Sequence, residues 1–142
     1  MLCAVLGQAT PGAMGASMAK VLIVEDIVET AEAIQAVLED LGLTVFTAQH
    51  GEDGIALFEQ EEPELIILDL ELPDDMDGWQ VLDTIQERRR SKEPVIIVTT
   101  VYGDVSNRLM GRLHGVYCYL VKPFSLEQIE QAAIDSLGLN HD

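Results

Sequence analysis

From Lys20 onward the chain alternates short β-branched apolar runs with stretches in which apolar residues recur every three or four positions. Those two periods separate strands from helices. Val21–Val24 reads as a strand; Ile27, Ala31, Ile34, Leu38 and Leu41 then share one face of a helix, which Gly42 stops at the position after the cap. Thr44–Thr47 predicts a second strand, and Gly51–Gln60 a weaker helix closed before Pro63. Leu65–Leu68 is apolar throughout, as a strand covered on both faces requires. Trp79, Leu82 and Ile85 mark a third helix, Pro94–Val98 a fourth strand, Val105, Leu109 and Leu113 a fourth helix, and Val116–Val121 a fifth strand. Ser125 and Gln128 have the spacing of a capping box, and Leu126, Ile129, Ala133 and Leu137 carry the fifth and last helix.

Five βα units in succession predict an α/β fold: a doubly wound (βα)5 three-layer sandwich around a parallel five-stranded sheet. Right-handed crossovers favour the order 2-1-3-4-5, with a ligand crevice at the carboxyl ends of strands 1 and 3. The polar residues at the strand ends fall where that crevice would be. Strand 1 runs into Glu25 and Asp26, strand 3 into Asp69, strand 4 into Thr99 and Thr100, and strand 5 into Lys122.

Three carboxylates in one crevice repel one another. At about 5 Å and an effective dielectric near 20, each pair costs about 3 kcal/mol. Such a site has to protonate one acid, recruit Lys122 or bind a metal, and hard oxygen ligands suit Mg²⁺ or Mn²⁺. A carboxylate such as Asp69 can attack phosphorus to form an acyl phosphate, while a lysine and a hydroxyl hold the phosphoryl oxygens. The plainer alternative is that strand-end acids cap the following helices, as Asp26 could for the first one.

The segments Val21-Leu22-Ile23-Val24-Glu25-Asp26, Asp69 followed by Leu72-Pro73 and Asp77-Gly78, Pro94-Val95-Ile96-Ile97-Val98-Thr99, and Tyr119-Leu120-Val121-Lys122-Pro123-Phe124 occur in that order. Together they resemble the receiver domain of two-component response regulators, the CheY-like family, from about Lys20 to the chain end. The resemblance implies a flavodoxin-like/CheY-like fold and a cytoplasmic phosphoacceptor switch that is not an enzyme, although it assists its own phosphorylation and dephosphorylation. It implies Asp69 as phosphoacceptor, served by a sensor histidine kinase or a histidine phosphotransfer protein. It further implies Mg²⁺ (or Mn²⁺) held by Glu25, Asp26, Asp69 and the backbone carbonyl of Glu71. Thr99, the Thr100 backbone and Lys122 would bind the phosphoryl group, Tyr119 would act as an aromatic switch, and the bond before Pro123 would be cis. Output would pass to a protein target or a second copy through the face made by the fourth helix, fifth strand and fifth helix.

Several positions depart from the family pattern. The loop from Leu72 to Gly78 is one residue longer than usual, and Thr100 stands where alanine is common. In the family, the second residues after the acceptor and after the threonine tune hydrolysis. Here they are Glu71 and apolar Val101, which predicts a long-lived acyl phosphate. Val116, Tyr117 and Tyr119 suggest an apolar output face, unless Tyr117 is a lone exposed aromatic.

Charge narrows the partners. The 142 residues carry 25 acids against 8 bases, a net charge of −17, which repels a phosphate backbone and argues against direct nucleic-acid binding. Arg88, Arg89, Arg90 and Lys92 read as a solvated helix end. No apolar run approaches the roughly 20 residues of a membrane span. Cys3 and Cys118 make no disulfide framework. Residues 1–18 read as a flexible leader or non-native extension before one domain, 19–142, expected to be a free-standing regulator rather than a receiver cut from a longer protein or a hybrid kinase. A phosphatase with an aspartate nucleophile would need an acid at position 71 of the Asp type, where Glu71 stands. A flavin carrier would need hydroxyl or glycine donors where Glu25-Asp26-Ile27-Val28 lies.

Overall fold

The computed structural model describes residues 19–73, 76–88, 93–102 and 115–139. Its elements run β1 (Lys20–Val24), α1 (Val28–Asp40), β2 (Thr44–Ala48), α2 (Gly51–Glu61), β3 (Leu65–Asp69), α3 (Gly78–Arg88), β4 (Val95–Thr100), β5 (Cys118–Val121) and α4 (Leu126–Leu137). The leader, residues 1–18, and the predicted helix over Val105, Leu109 and Leu113 lie outside the described residues, so α4 is the fifth helix of the sequence reading.

All pairings are parallel, and the sheet order is β2-β1-β3-β4-β5. Strand alternation divides the core in two. Leu22, Val24, Ile66, Leu68, Ile96 and Val98 face one side and pack with Ile55 and Phe58 of α2 and Val81, Leu82 and Ile85 of α3. Val21, Ile23, Leu65, Ile67 and Ile97 face the other, against Ala31, Ile34 and Leu38 of α1 and Ile129, Ala132 and Ala133 of α4. Period two in the strands meets period 3.6 in the helices on both faces, which makes the three layers.

Local signals explain the helix ends. Gly42 follows the α1 cap at φ +90°, a left-handed conformation that glycine adopts without a Cβ penalty. Ser125 and Gln128 close a reciprocal capping box on α4. Asp77 and Gln80 do the same for α3: the Gln80 N–H donates to Asp77 Oδ1 at 3.0 Å and the Asp77 N–H to Gln80 Oε1 at 2.9 Å. Arg88, in the last turn of α3, is exposed and pairs with Glu59 at 2.8 Å, while Arg89, Arg90 and Lys92 of the predicted solvated helix end lie outside the described residues. Among the described residues, no helix is long and apolar enough to cross a membrane.

Two readings are corrected. The fifth strand begins at Cys118 rather than Val116. Val116 and Tyr119 pack on the α2/α3 side of the core, whereas Tyr117 packs on the α1/α4 side, half-buried. The three therefore do not make one apolar face, and Tyr117 is not a lone exposed aromatic.

Candidate functional site

Strand register brings the chemistry together. Val24 lies level with Leu68, Asp69 with Thr99, and Thr100 with Val121. The residue after β1 is therefore Glu25, beside Asp69, and the residue after β5 is Lys122, one place past Thr100. Backbone bonds extend the sheet by one residue here: Leu70 N–H to Thr99 carbonyl at 3.0 Å and Lys122 N–H to Thr100 carbonyl at 2.7 Å.

The acids converge. Glu25, Asp26 and Asp69 each present a carboxylate oxygen, all within 4.8 Å of one another. Asp26 does not cap α1. The N-cap there is Ile27, and its N–H is taken by Glu25 Oε2 at 3.1 Å. Lys122 Nζ sits 3.1 Å from Asp69 Oδ2 and 3.6 Å from Glu25 Oε1. Asp69 Oδ1 accepts the Glu71 N–H at 2.9 Å. Lys122-Pro123 is a cis peptide bond.

Burial and mutual repulsion set the titration. Glu25, 2 % exposed, is pushed from its ordinary 4.5 up to about 7 by desolvation first and by the Asp69 charge second. Burial also pushes the Asp69 carboxyl up, against the lowering effect of the Glu71 N–H and of Lys122. Desolvation alone would lower Lys122, but its hydrogen bond to Asp69 and the charges of Asp69, Glu25 and Glu71 outweigh it, so the ammonium is held above its usual range. One cation against this set leaves a surplus of negative charge. An oxygen-rich, partly buried trio with that surplus fits a hard divalent ion.

Two hydroxyls flank the acids. Thr99, 1 % exposed, has an Oγ1 with no hydrogen-bond partner among the described residues. A buried hydroxyl of this kind is costly unless a ligand completes it. Thr100 behaves differently. Its hydroxyl donates to Glu71 Oε2 at 2.5 Å, and Glu71 Oε1 accepts the Val101 N–H at 3.0 Å. The sequence reading gave Glu71 a backbone carbonyl for the metal and a side chain that tunes hydrolysis, and missed this side-chain bridge. The register, which places position 71 across from 101, is the signal that could have found it. Tyr119 is half-buried on β5 against the α2/α3 core.

Gly78 explains the Asp-Gly pair. A Cβ at that position would stand 2.5 Å from Leu70 Cα and 2.6 Å from the Asp69 carbonyl oxygen, and the Gly78 N–H donates to the Leu70 carbonyl at 3.1 Å. The start of α3 thus rests on the backbone that carries Asp69. Gly78→Ala should cost about 1–3 kcal/mol of stability in urea unfolding, since the clash is with main chain that cannot turn aside. An unfolding midpoint equal to that of the unaltered chain would contradict this packing.

Comparison with known proteins agrees with this geometry. The family model described as "Response regulator receiver domain" matches residues 21–134. The chain is 40% identical over 111 residues to a probable transcriptional regulator, ycf27, of Guillardia theta, covering 78% of this chain and 42% of that protein. It therefore spans less than half the length of that relative. It is 34% identical over 113 residues to protein PilH of Pseudomonas aeruginosa, covering 79% of this chain and 92% of PilH. Among solved structures, a CheY-like response regulator receiver domain protein from Methanospirillum hungatei superposes with a TM-score of 0.78 at 26% identity, covering 86% of this chain and 95% of that one. Motif order, sheet order and strand-end acids converge with these matches: the chain belongs to the response regulator receiver domain family.

Proposed function

We propose that this chain is a phosphorylation switch in which Asp69 accepts a phosphoryl group from a phosphohistidine donor, a sensor histidine kinase or a histidine phosphotransfer protein. The observation that carries the reading is the pairing of Asp69, held 3.1 Å from the Lys122 ammonium, with the buried, unpartnered hydroxyl of Thr99 on the neighbouring strand. In the transfer, an Asp69 carboxylate oxygen forms a new bond to phosphorus as the donor's P–N bond breaks, and that electron pair returns to the donor's imidazole. Lys122 stays paired with the charge that develops on the phosphoryl oxygens, and the Thr99 hydroxyl gains the acceptor it lacks. The Thr100 backbone would add a further donor, and Tyr119 would move with the new occupancy of Thr99. A bound Mg²⁺ or Mn²⁺, held by Glu25, Asp26, Asp69 and the Glu71 carbonyl, would supply neutralisation of the converging negative charges. Val101 is apolar and cannot orient an attacking water, and the Glu71 carboxylate beside it adds negative charge that resists an incoming nucleophile. That supports a slowly hydrolysed acyl phosphate.

Similarity to PilH over most of that protein's length supports a free-standing regulator; similarity to transcriptional regulators supports a receiver whose output is transcription. Either output would be read on the face of β5 and α4, by a protein target or a second copy.

Intact-mass measurement after treatment with acetyl phosphate tests the reading. With Mg²⁺ the chain should gain one phosphoryl group on Asp69, stable enough to survive removal of the donor, and with EDTA it should gain none. Continuous release of phosphate without a mass gain would instead indicate a hydrolase.

A further inference from the structure

We infer that the Glu71 side chain is a latch that holds the segment after β4 in its unphosphorylated arrangement, and that a phosphoryl group on Asp69 works against it. The inference rests on the reading of Asp69 as phosphoacceptor. One carboxylate gathers the start of that segment: Oε2 takes the Thr100 hydroxyl at 2.5 Å and Oε1 takes the Val101 N–H at 3.0 Å. The Thr100 Oγ1 in turn accepts the Tyr102 N–H at 3.0 Å. Three consecutive residues beyond Thr99 are thus strapped to the loop that follows Asp69. Bonds of this kind, with an ionised acceptor, are roughly twice as strong as neutral ones.

The strap crosses the two loops that a phosphoryl group would disturb. Glu71 donates its own N–H to Asp69 Oδ1, and its charge is close enough to disfavour ionisation of Asp69. A phosphoryl group replaces the single charge of the Asp69 carboxylate with about two on its own oxygens, a net gain of about one negative charge at the same place. It repels the carboxylate that holds Thr100 and Val101. It also draws on Thr99, the immediate neighbour of Thr100, whose buried hydroxyl has no partner among the described residues. Charge on Asp69 and tension on Thr99 therefore loosen the same carboxylate from opposite ends. What the latch restrains is an exposed apolar pair, Val101 at 51 % and Tyr102 at 58 % exposure, well suited to re-seat once freed. Interactions made only in the resting state oppose the active one by their full strength.

Beryllofluoride, a stable stand-in for a carboxylate-bound phosphoryl group, tests this as an equilibrium. The full chain, saturated with Mg²⁺, is titrated with it while the amide signals of Val101 and Tyr102 are followed. Thr100→Val keeps the side-chain shape and removes the hydroxyl. It should tighten the apparent affinity about tenfold, the share of one charge-assisted hydrogen bond. Thr100→Ser, which restores the hydroxyl, should return to within about twofold of the unaltered chain by the same arithmetic. Should Thr100→Val fold poorly, Glu71→Gln carries the same expected tightening. An affinity for Thr100→Val equal to or weaker than that of the unaltered chain overturns the latch while leaving the acceptor reading intact. An unaltered chain that neither binds beryllofluoride nor gains mass from acetyl phosphate overturns the acceptor reading, and the latch falls with it.

Discussion

Replacing Asp69 with asparagine is expected to abolish phosphoryl uptake and, in the absence of metal, to make the fold more stable. The two effects have one cause. The amide oxygen is a far poorer nucleophile than a carboxylate, and loss of a nucleophile costs about a thousandfold in rate or more. Stability moves the other way because burial raises the Asp69 carboxyl above its ordinary value. An acid raised by folding prefers its neutral form in the native state, so at neutral pH the ionised side chain opposes folding. An uncharged isostere removes that opposition together with its repulsion of Glu25. Acetyl phosphate labelling read by intact mass, with thermal melts in EDTA, checks both halves. If the variant gained mass as readily as the unaltered chain, the nucleophile would lie elsewhere. A melting temperature that fell would show that Lys122 depends on Asp69 more than the crevice suffers from it.

The second large effect is a pH dependence centred on Glu25. Its carboxyl is raised from 4.5 to about 7 by burial and by the charge of Asp69. Below pH 4.5 native and unfolded chains both hold the proton, and the stabilisation is fully present. Between 4.5 and about 7 only the native chain holds it, so stability falls as pH rises, and above about 7 the contribution is gone. The slope reaches about 1.4 kcal/mol per pH unit, and the total loss is on the order of 3 kcal/mol. Melts in EDTA from pH 5 to pH 8 should show this fall. Glu25→Gln should flatten it without erasing it, because Asp69 is raised in the same direction. Mg²⁺ should also flatten it, since it binds the ionised carboxylates and restores stability at the alkaline end. A Glu25→Gln protein that kept the whole slope would place the titration on another group.

Most of the scaffold was legible in the residues, and the parts that were not share a cause. Leu65–Asp69 is buried from end to end, and its unbroken apolar run announced a central parallel strand. Strand-end acids were legible because the topology of a doubly wound sheet puts its crevice at the carboxyl ends of β1 and β3. The capping alternative for Asp26 failed on a single residue: α1 starts at Val28, which makes Ile27 the cap. The face of Tyr117 was misread for a similar reason. Had the strand begun at Val116, positions 117 and 119 would have pointed the same way. With pairing starting at Cys118, Tyr117 precedes the pleat and escapes its alternation. The bridge from Glu71 to Thr100 depends on the alignment of two strands nearly thirty residues apart, which pairing decides and local pattern does not show.

The full burial of β3, between β1 and β4 at the middle of the sheet, has a mechanical consequence. Amides there should exchange with solvent only when the whole domain opens, which makes the anchor of Asp69 as stiff as the fold allows. The Val101–Tyr102 stretch lies at the opposite extreme, outside any strand and facing water. A charge placed on so rigid a post would spend little of its effect in deforming the core, and the part left for it to act on is the exposed margin within its reach.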